Sequence, residues 1–273
     1  MRKLNMTYKY LEFVVEEGLA TITLNRPKRL NALSAGMIDE LYEAVTHVAT
    51  DSDIKAVLIT GAGKGFCSGA DISAAPDKSA EYLLQQGERA YDAMIRRYNP
   101  IIQTIHDMGK PVIAAVNGVT AGYGNSIALA CDVVFAAESA SFIQVFVPNL
   151  GIVPDGGSTW LLPRIITVPR AMGMFLSGDK IKAKQAEEWG MIWKCVPDEE
   201  LMEEAQSFAN KLAKGPSLGI RSFKNAMNQS HENSLQRQLQ LEANLQKVCC
   251  GSVDFAEGCL AFGEKRKPEF IGR

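Results

Sequence analysis

The chain has 273 residues, of which 47% are hydrophobic and 22% charged, and its formal net charge is −2. A chain of this length can bury the core of one large domain, or of two modest ones, without the help of disulfides. The near-neutral balance of charge gives no reason to expect a nucleic acid or an acidic membrane as a partner.

The sequence also argues against a metal site and against export. Its six cysteines form no CxxC pair, and its three histidines are far apart in the chain. The start, MRKLNMTYKYLEF, lacks the apolar run of a secretory signal, and no apolar stretch reaches membrane-spanning length. We therefore expect a cytoplasmic protein that binds no metal and does not contact a membrane.

The first predicted elements are a hairpin, a helix and a buried strand. The segment LEFVVEEGLATITLNRP has two β-rich runs around a Glu-Gly turn, and Pro27 closes it. The segment SAGMIDELYEAVTHVAT has apolar residues at helical spacing, with Ser34 as the predicted N-cap. It is followed by KAVLIT, a short apolar strand that runs into the glycine-rich loop GAGKGFCSGADI.

The same order then repeats along the chain. A long helical pattern, AEYLLQQGERAYDAMIRRYNPIIQTIHDM, is predicted to be interrupted near Pro100. It leads to the strand PVIAAV, a second glycine loop and helix in NGVTAGYGNSIALACD, and the strand VVFAAE. Buried strands that alternate with helices indicate an α/β fold with a mainly parallel sheet, and ligands usually bind where such strands end.

The two glycine loops are poor matches to nucleotide-binding motifs. TGAGKGF lacks the spacing of a phosphate loop, and GYGNSI lacks the third glycine of a dinucleotide fingerprint. Two readings stay open: the glycines permit close packing of turns, or they let backbone N–H groups approach a ligand.

Asp155 is the acid whose position is hardest to explain from local sequence. It lies in GIVPDGGSTWLL, among glycines, a proline and aliphatic residues. One interpretation is that Asp155 caps the helix that starts in STWLLPRII, because acids are favoured at helix starts. The other is that its carboxylate has a catalytic role.

Five segments in this order resemble the enoyl-CoA hydratase/isomerase family, the crotonase superfamily, from about residue 11 to residue 272. They are NRPKRLNALS, GAGKGFCSGADI, KPVIAAVNGVTAGYGNSIALACD, GIVPDGGSTWLLPR and AFGEKRKPEF. The resemblance implies a spiral core of repeated ββα units over residues 1–200. It also implies a helical region over residues 201–273 that assembles the chain into a homotrimer or a dimer of trimers.

The resemblance also implies the catalytic groups. The backbone N–H groups of Ala70 and Tyr123 would hold a thioester oxygen, and the Tyr123 side chain would point away from the pocket or shape its wall. The two positions that carry glutamates in hydratases are occupied here by Ser126 and Val147, which cannot move a proton as a carboxylate does. Asp155 falls where isomerases of the family carry their single acid and where dehalogenases carry a nucleophile.

The substrate implied by the resemblance is an acyl-CoA thioester, with CoA as part of the substrate and no separate cofactor. The walls around the acyl group would include Val147, Trp160 and Leu161. The residues expected to bind the CoA portion are Lys28, Leu30, Ser68, Asp71, Ile72, Phe262 and Lys265. For the two lysines, the alternative is a solvated surface position.

Within the family, the segments around Asp155 and the C-terminal tail resemble the ring-epoxide isomerases of phenylacetyl-CoA breakdown. We therefore predict an acyl-CoA isomerase that moves a double bond or rearranges a ring epoxide. The alternatives are an enoyl-CoA hydratase, an aryl-CoA dehalogenase and a CoA-ester-binding subunit without catalytic activity.

Overall fold

The structure is a computed structural model that describes residues 4–74, 77 and 79–272. Within these residues the strands form a seven-stranded sheet, in the order β1-β2-β3-β4-β6-β8-β11, and a four-stranded sheet, in the order β10-β9-β7-β5. The strands are β1 Leu4–Thr7, β2 Leu11–Glu16, β3 Leu19–Leu24, β4 Ala56–Gly61, β5 Gly65–Cys67, β6 Val112–Val116, β7 Val119–Ala121, β8 Val133–Ala137, β9 Ser141–Ile143, β10 Ile181–Lys182 and β11 Lys194–Val196.

The predicted hairpin is formed by β2 and β3, which pair antiparallel from Leu11 opposite Leu24 to Glu16 opposite Leu19. Its turn residues, Glu17 and Gly18, both have positive φ, as a tight two-residue hairpin turn requires. From β3 onward the large sheet is parallel through β4, β6, β8 and β11. The prediction of a mainly parallel sheet is therefore confirmed.

The core is built from repeated ββα units, as the family resemblance implied. In each unit a long strand enters the large sheet, a short strand enters the small sheet, and helical chain follows. The pairs β4–β5, β6–β7 and β8–β9 all follow this rule. Consequently the turns after the short strands lie together beside the small sheet, where both predicted glycine loops are found.

The helices of the first two hundred residues flank these sheets. They are α1 Ala35–Thr50, α2 Ala80–Leu84, α3 Gln86–Ala93, α4 Asn99–Asp107, α5 Tyr123–Ala130, α6 Ser158–Ile166, α7 Val168–Ser177 and α8 Ala183–Glu188. Helix α1 begins as predicted, because the Ser34 hydroxyl accepts a hydrogen bond from the Met37 N–H at 3.3 Å. His47 and His106 lie within α1 and α4.

The helical pattern before β6 differs in detail from its prediction. The helical run is widened into a π-turn over Met94–Tyr98, before Pro100 rather than at it. Pro100 lies in the first turn of α4, a position that tolerates a residue without an N–H. The Asn99 N–H donates to the carbonyl of Met94, five residues earlier.

The tail from residue 201 is helical, as predicted. It contains α9 Leu201–Ala213, α10 Ser217–Ser230, α11 Leu235–Cys250 and α12 Val253–Glu264. Helix α9 packs on β3, β4, β6 and β8, and its buried alanines belong to the main hydrophobic core. The division into a core up to residue 200 and an oligomerisation region beyond it stays a prediction.

Helix α10 is tied to the core by an ion pair whose lysine side chain is buried. The Lys224 ammonium lies 2.8 Å from the Asp132 carboxylate and also donates to the carbonyls of Ile105 and Lys110. The same Asp132 oxygen accepts the Val112 N–H at 2.7 Å. A buried charge needs such partners, so this contact fixes α10 against the ends of α4 and β6.

Within the described residues, no helix is both long enough and apolar enough to span a bilayer.

Candidate functional site

Two loops predicted to bind the CoA portion lie side by side. One contains Lys28 and Leu30, and the other contains Ser68, Asp71 and Ile72. The Ser68 N–H donates to the Leu30 carbonyl at 3.0 Å, and the Asp71 N–H donates to the Leu33 carbonyl at 3.0 Å. The structure thus brings this set of predicted residues together, with Leu30 and Ile72 both exposed.

The pairing of these loops is braced by Asn31, a residue that sequence reasoning missed. Its side chain is fully buried and donates to the carbonyls of Gly65, at 2.7 Å, and Ala62, at 3.0 Å. Its oxygen accepts the Arg26 N–H at 2.8 Å. Asn31 has a φ of 56°, a conformation that asparagine tolerates better than most residues. That tolerance was the available sequence signal.

The Asp71 side chain is already committed within the protein. Its carboxylate lies 2.9 Å from the Arg26 guanidinium and accepts the Ser73 hydroxyl at 2.6 Å. The Ser73 hydrogen bond first, and then Arg26, hold the pKa of Asp71 below its usual value. Asp71 is therefore available to a ligand mainly through its backbone.

The two glycine loops meet directly behind this region. A side-chain carbon on Gly69 would lie 2.9 Å from the Ala121 carbonyl oxygen and 3.5 Å from the Tyr123 amide nitrogen. One on Gly124 would overlap the Cys67 carbonyl and lie 2.9 Å from the Cys67 Cβ. These glycines therefore allow the backbones of the two loops to lie in contact. This agrees with the interpretation that the glycines permit close packing of turns, and it also brings the segments that carry the Ala70 and Tyr123 N–H groups next to each other.

The N–H groups of Ala70 and Tyr123 lie at this junction. Tyr123 is the first residue of α5, and the first N–H groups of a helix have no acceptor within it. Among the described residues, neither N–H donates a hydrogen bond. The neighbouring amides do have acceptors: Gly122 donates to Ile143, and Asp71 to Leu33.

The Tyr123 side chain points into the protein and not into the cleft. It is 1% exposed, and its hydroxyl donates to the Tyr98 carbonyl at 2.6 Å. The two tyrosine rings pack edge to face, with centroids 4.8 Å apart. The side chain therefore points away from the cleft at Ala70, which is the first of its two predicted orientations. A bulky residue fits at position 123 because its side chain packs in the core.

Asp155 does not cap α6 with its side chain. The N-cap of that helix is Gly157, and no side-chain cap hydrogen bond is formed there. The Asp155 main-chain carbonyl accepts the Ser158 N–H at 3.1 Å, while Oδ1 of its carboxylate is buried and has no hydrogen-bond partner. The capping interpretation is therefore wrong. Oδ1 is the only carboxylate oxygen in this condition among the described residues.

The environment of Asp155 raises the pKa of its carboxyl group. Burial raises the pKa of Asp155 to about 6, against a slight opposing effect of its own N–H. Its charge is close enough to Tyr98 and Tyr123 to raise the pKa of both, after the larger effect of burial. The Asp155 carboxylate thus faces the tyrosine pair that packs behind the two free N–H groups.

A cleft of about 410 Å³ opens at Ala70. Its lining includes Leu33, Ser34, Ala70, Asp71, Tyr82 and Tyr98. Tyr82 and Tyr98 come from the helical chain before β6, so that chain covers the cleft. Sequence reasoning missed this role because it concerned only the glycine loops.

The predicted acyl walls are placed differently from what was expected. Trp160 and Leu161 line a second opening, of about 400 Å³, together with Gly156 and Gly157. Val147 lies in a π-turn over Phe146–Leu150 and is 38% exposed. In the single chain none of these side chains lines the cleft at Ala70.

Phe262 lies in the last turn of α12, and Lys265 is the C-cap of that helix. Phe262 is 89% exposed and borders a groove of about 480 Å³ that is lined by Phe255, Phe270 and other tail residues. Within the described part of the chain, no hydrogen bond or ion pair joins either residue to the loops of Lys28 and Ser68.

The described residues contain no group of three or more His, Cys, Asp or Glu side chains arranged to hold a metal.

The chain was compared with known families and proteins. Residues 15–273 match the model of the enoyl-CoA hydratase/isomerase family. The chain is 44% identical to 1,2-epoxyphenylacetyl-CoA isomerase of Escherichia coli, over 96% of this chain and all of that protein. It is 36% identical to crotonyl-CoA hydratase of Syntrophomonas wolfei, over 98% of this chain and all of that protein. The crystal structure of enoyl-CoA hydratase from Bacillus anthracis superposes with a TM-score of 0.88 at 32% identity, covering 97% of this chain and all of that one.

Proposed function

Because this chain belongs to the enoyl-CoA hydratase/isomerase family, we propose that it is an acyl-CoA isomerase that uses Asp155 as its single acid and base. The thioester oxygen would be bound by the N–H groups of Ala70 and Tyr123. The observation that carries this proposal is the buried, unpaired Oδ1 of Asp155, whose charge acts on the tyrosines behind those N–H groups.

The residues at the two hydratase acid positions support isomerisation over hydration. Ser126 is fully buried and its hydroxyl is engaged within the protein, and Val147 has no titratable group. Addition of water needs one group to activate the water and another to deliver a proton. Moving a double bond needs only one group, which takes a proton and returns it at another carbon.

The reaction then follows from these groups. The Asp155 carboxylate removes a proton from the carbon next to the thioester carbonyl, and the electron pair of that C–H bond moves onto the thioester oxygen. The N–H groups of Ala70 and Tyr123 stabilise the enolate, an effect of about 10²- to 10³-fold in rate for a single donor. Asp155 then returns the proton to the γ carbon, which shifts the β,γ double bond to the α,β position.

The similarity to an epoxyphenylacetyl-CoA isomerase supports an aryl-acetyl or unsaturated acyl group as the substrate class. In this proposal the CoA portion lies along the loops of Lys28, Leu30, Ser68, Asp71 and Ile72, with no separate cofactor. Phe262 and Lys265 would reach the nucleotide from a neighbouring subunit, which is consistent with the exposure of Phe262 in the single chain.

Assembly into a homotrimer or a dimer of trimers is part of the same proposal. Large apolar side chains stand exposed on the helical tail, among them Phe223 at 65%, Leu235 at 75% and Phe262 at 89%. Exposed apolar surface of this kind is typical of subunit interfaces. A cytoplasmic location stays a prediction.

The function is tested by following ultraviolet absorbance after the protein is mixed with a β,γ-unsaturated acyl-CoA. Growth of the conjugated thioester signal is the expected result, and crotonyl-CoA supplied in parallel should be hydrated far more slowly. Rapid hydration of crotonyl-CoA would favour the hydratase alternative. An ester bond to Asp155, detected by mass spectrometry with a halogenated aryl-CoA, would favour a dehalogenase. No reaction across acyl-CoA substrates would favour a binding subunit.

The pH dependence of kcat/KM should report the titration of Asp155 in the free enzyme. Only the carboxylate can remove a proton, and its pKa is raised to about 6. We expect kcat/KM to be constant above this pH and to fall about tenfold per pH unit below it. A profile that stays flat down to pH 4 would contradict the assignment of Asp155 as the base.

A further inference from the structure

Two buried hydroxyl groups contact the main chain of Asp155. The Ser158 Oγ lies 2.9 Å from the Asp155 carbonyl oxygen, and the Ser126 Oγ lies 3.1 Å from the same oxygen. The two hydroxyl oxygens are 2.7 Å apart, and both serine residues are fully buried. Ser126 comes from α5, which also begins with Tyr123, so this contact joins α5 to the turn that carries Asp155.

The donors and acceptors of this cluster can be assigned by counting protons. The Asp155 carbonyl has two lone pairs, and the Ser158 N–H occupies one of them. The shorter distance favours the Ser158 hydroxyl as donor to the second lone pair. The Ser126 hydroxyl then donates to the Ser158 oxygen. Each proton in the cluster has an acceptor, so the arrangement is a fully satisfied buried network.

The turn held by this network has little inherent rigidity. Its residues Gly156 and Gly157 both have positive φ, at 57° and 74°, and glycine is the residue with the greatest backbone freedom. The carboxylate of Asp155 makes no hydrogen bond through Oδ1 that could fix its own position. The serine hydroxyls, together with the Ser158 N–H, are therefore the polar contacts that hold the Asp155 carbonyl in place.

The same packing limits what position 126 can hold. A side-chain carbon on Gly156 would lie 2.6 Å from the Ser126 Cβ and 2.7 Å from its Oγ. The backbone of Gly156 is thus already in contact with the side chain of Ser126. A longer side chain at position 126 would displace the turn that carries Asp155, so this position cannot supply a second acid without disturbing the first.

We infer that Ser126 and Ser158 are positioning residues, which hold the main chain of Asp155 so that its carboxylate stays buried and aimed at the substrate. The inference rests on the proposed catalytic role of Asp155. Position 126, which by the family resemblance carries a glutamate in hydratases, would here orient Asp155, an acid from the turn before α6.

The inference is tested with Ser126→Ala, Ser158→Ala and the double variant, with Ser222→Ala as a matched buried serine on α10 outside the cluster. In each single variant one hydroxyl can still donate to the Asp155 carbonyl, so kcat should fall by only about 3- to 10-fold. The double variant should lose more than the product of the single effects. Dissociation constants for a saturated acyl-CoA should stay unchanged, because both serines are fully buried.

A second readout separates positioning from general stability. If the turn loosens, water reaches the Asp155 carboxylate, and the acidic limb of the kcat/KM profile should move to lower pH in the double variant and stay in place in Ser222→Ala. Should the double variant not fold, Ser158→Thr and Ser158→Val give the same comparison, since only threonine keeps the hydroxyl. Equal kcat in that pair, or an unmoved acidic limb with kcat near that of the parent, would overturn the inference.

The outcome is distinguishable from failure of the proposed function. If Asp155→Asn keeps full turnover, the catalytic role of Asp155 is lost, whatever the serine variants show. If Asp155→Asn is inactive while the double serine variant behaves like Ser222→Ala, only the positioning role is wrong.

Discussion

Replacing Asp155 with Asn is expected to lower kcat for double-bond migration by about 10²- to 10⁴-fold, the range that a positioned acid or base contributes. Asparagine has nearly the same shape but cannot take a proton. Binding of a saturated acyl-CoA should survive, because the CoA loops and the N–H groups of Ala70 and Tyr123 are untouched. The measurement is kcat from ultraviolet absorbance beside a dissociation constant from calorimetry.

The same variant should be more stable than the parent at neutral pH. The folded-state pKa of Asp155 is about 6, above its usual 3.8, so burial of the ionised form costs stability. That cost is absent below pH 3.8, grows as the pH rises through this interval and is complete above pH 6. Its size is at most about 3 kcal/mol, since one pKa unit corresponds to about 1.4 kcal/mol. The melting temperatures of parent and variant should therefore diverge above pH 6 and converge near pH 4.

A lower melting temperature for Asp155→Asn at pH 7, with loss of ester binding, would contradict this assignment. It would show that the carboxylate supports the fold in a way that the hydrogen bonds of the structure do not record. Asn31→Ala offers a contrast, because Asn31 is a buried and fully hydrogen-bonded polar residue whose loss should destabilise the protein.

The second large effect is expected from Gly124→Ala. The added methyl group would overlap the Cys67 carbonyl and press on the Cys67 Cβ, so the two glycine loops must separate. The N–H groups of Ala70 and Tyr123 would then no longer lie at their present separation. We expect kcat to fall by about 10²- to 10³-fold, as when one donor of an oxyanion site is removed. Overpacking should also lower stability, by about 1–3 kcal/mol.

Gly173→Ala is the matched control for this variant. Gly173 also lies inside a helix, but a methyl group there meets no atom within 4 Å. Alanine is the better helix former by roughly 1 kcal/mol, so this control should be active and slightly more stable. If Gly124→Ala folds and keeps kcat within about threefold of Gly173→Ala, catalysis does not depend on the spacing of these two loops.

Much of the fold could be predicted because its signals are local. The alternation in Leu11–Leu24 and the Glu17–Gly18 turn predict a hairpin, and the apolar runs of β4, β6 and β8 predict buried parallel strands. The small sheet could not be predicted in this way. Its strands, such as Gly65–Cys67, have only two or three residues, too few for a period to be visible.

In the candidate site, too, only the residues with a local sequence signal could be predicted. Asp155 could be selected as a candidate from sequence because a charge among apolar residues and glycines needs an explanation. The family resemblance then gave it a role. Ser158 and Tyr98 could not be found from sequence, and the only signal at Asn31 was the tolerance of asparagine for positive φ. Their roles depend on contacts with segments distant in the chain; the two serines of the cluster, for example, are 32 positions apart. Trp160, predicted as a wall around the acyl group, lines a different opening from the cleft at Ala70.

The π-turn at Met94–Tyr98 has a consequence for how this enzyme can change over evolution. Each residue turns an α-helix by about 100°, so one residue more or less in this turn rotates everything before it by that angle relative to α4. Ile101 and Ile105 are fixed in the core, and Tyr98 lines the cleft directly before them. This stretch can therefore accept new side chains at the cleft far more readily than it can accept an insertion or a deletion.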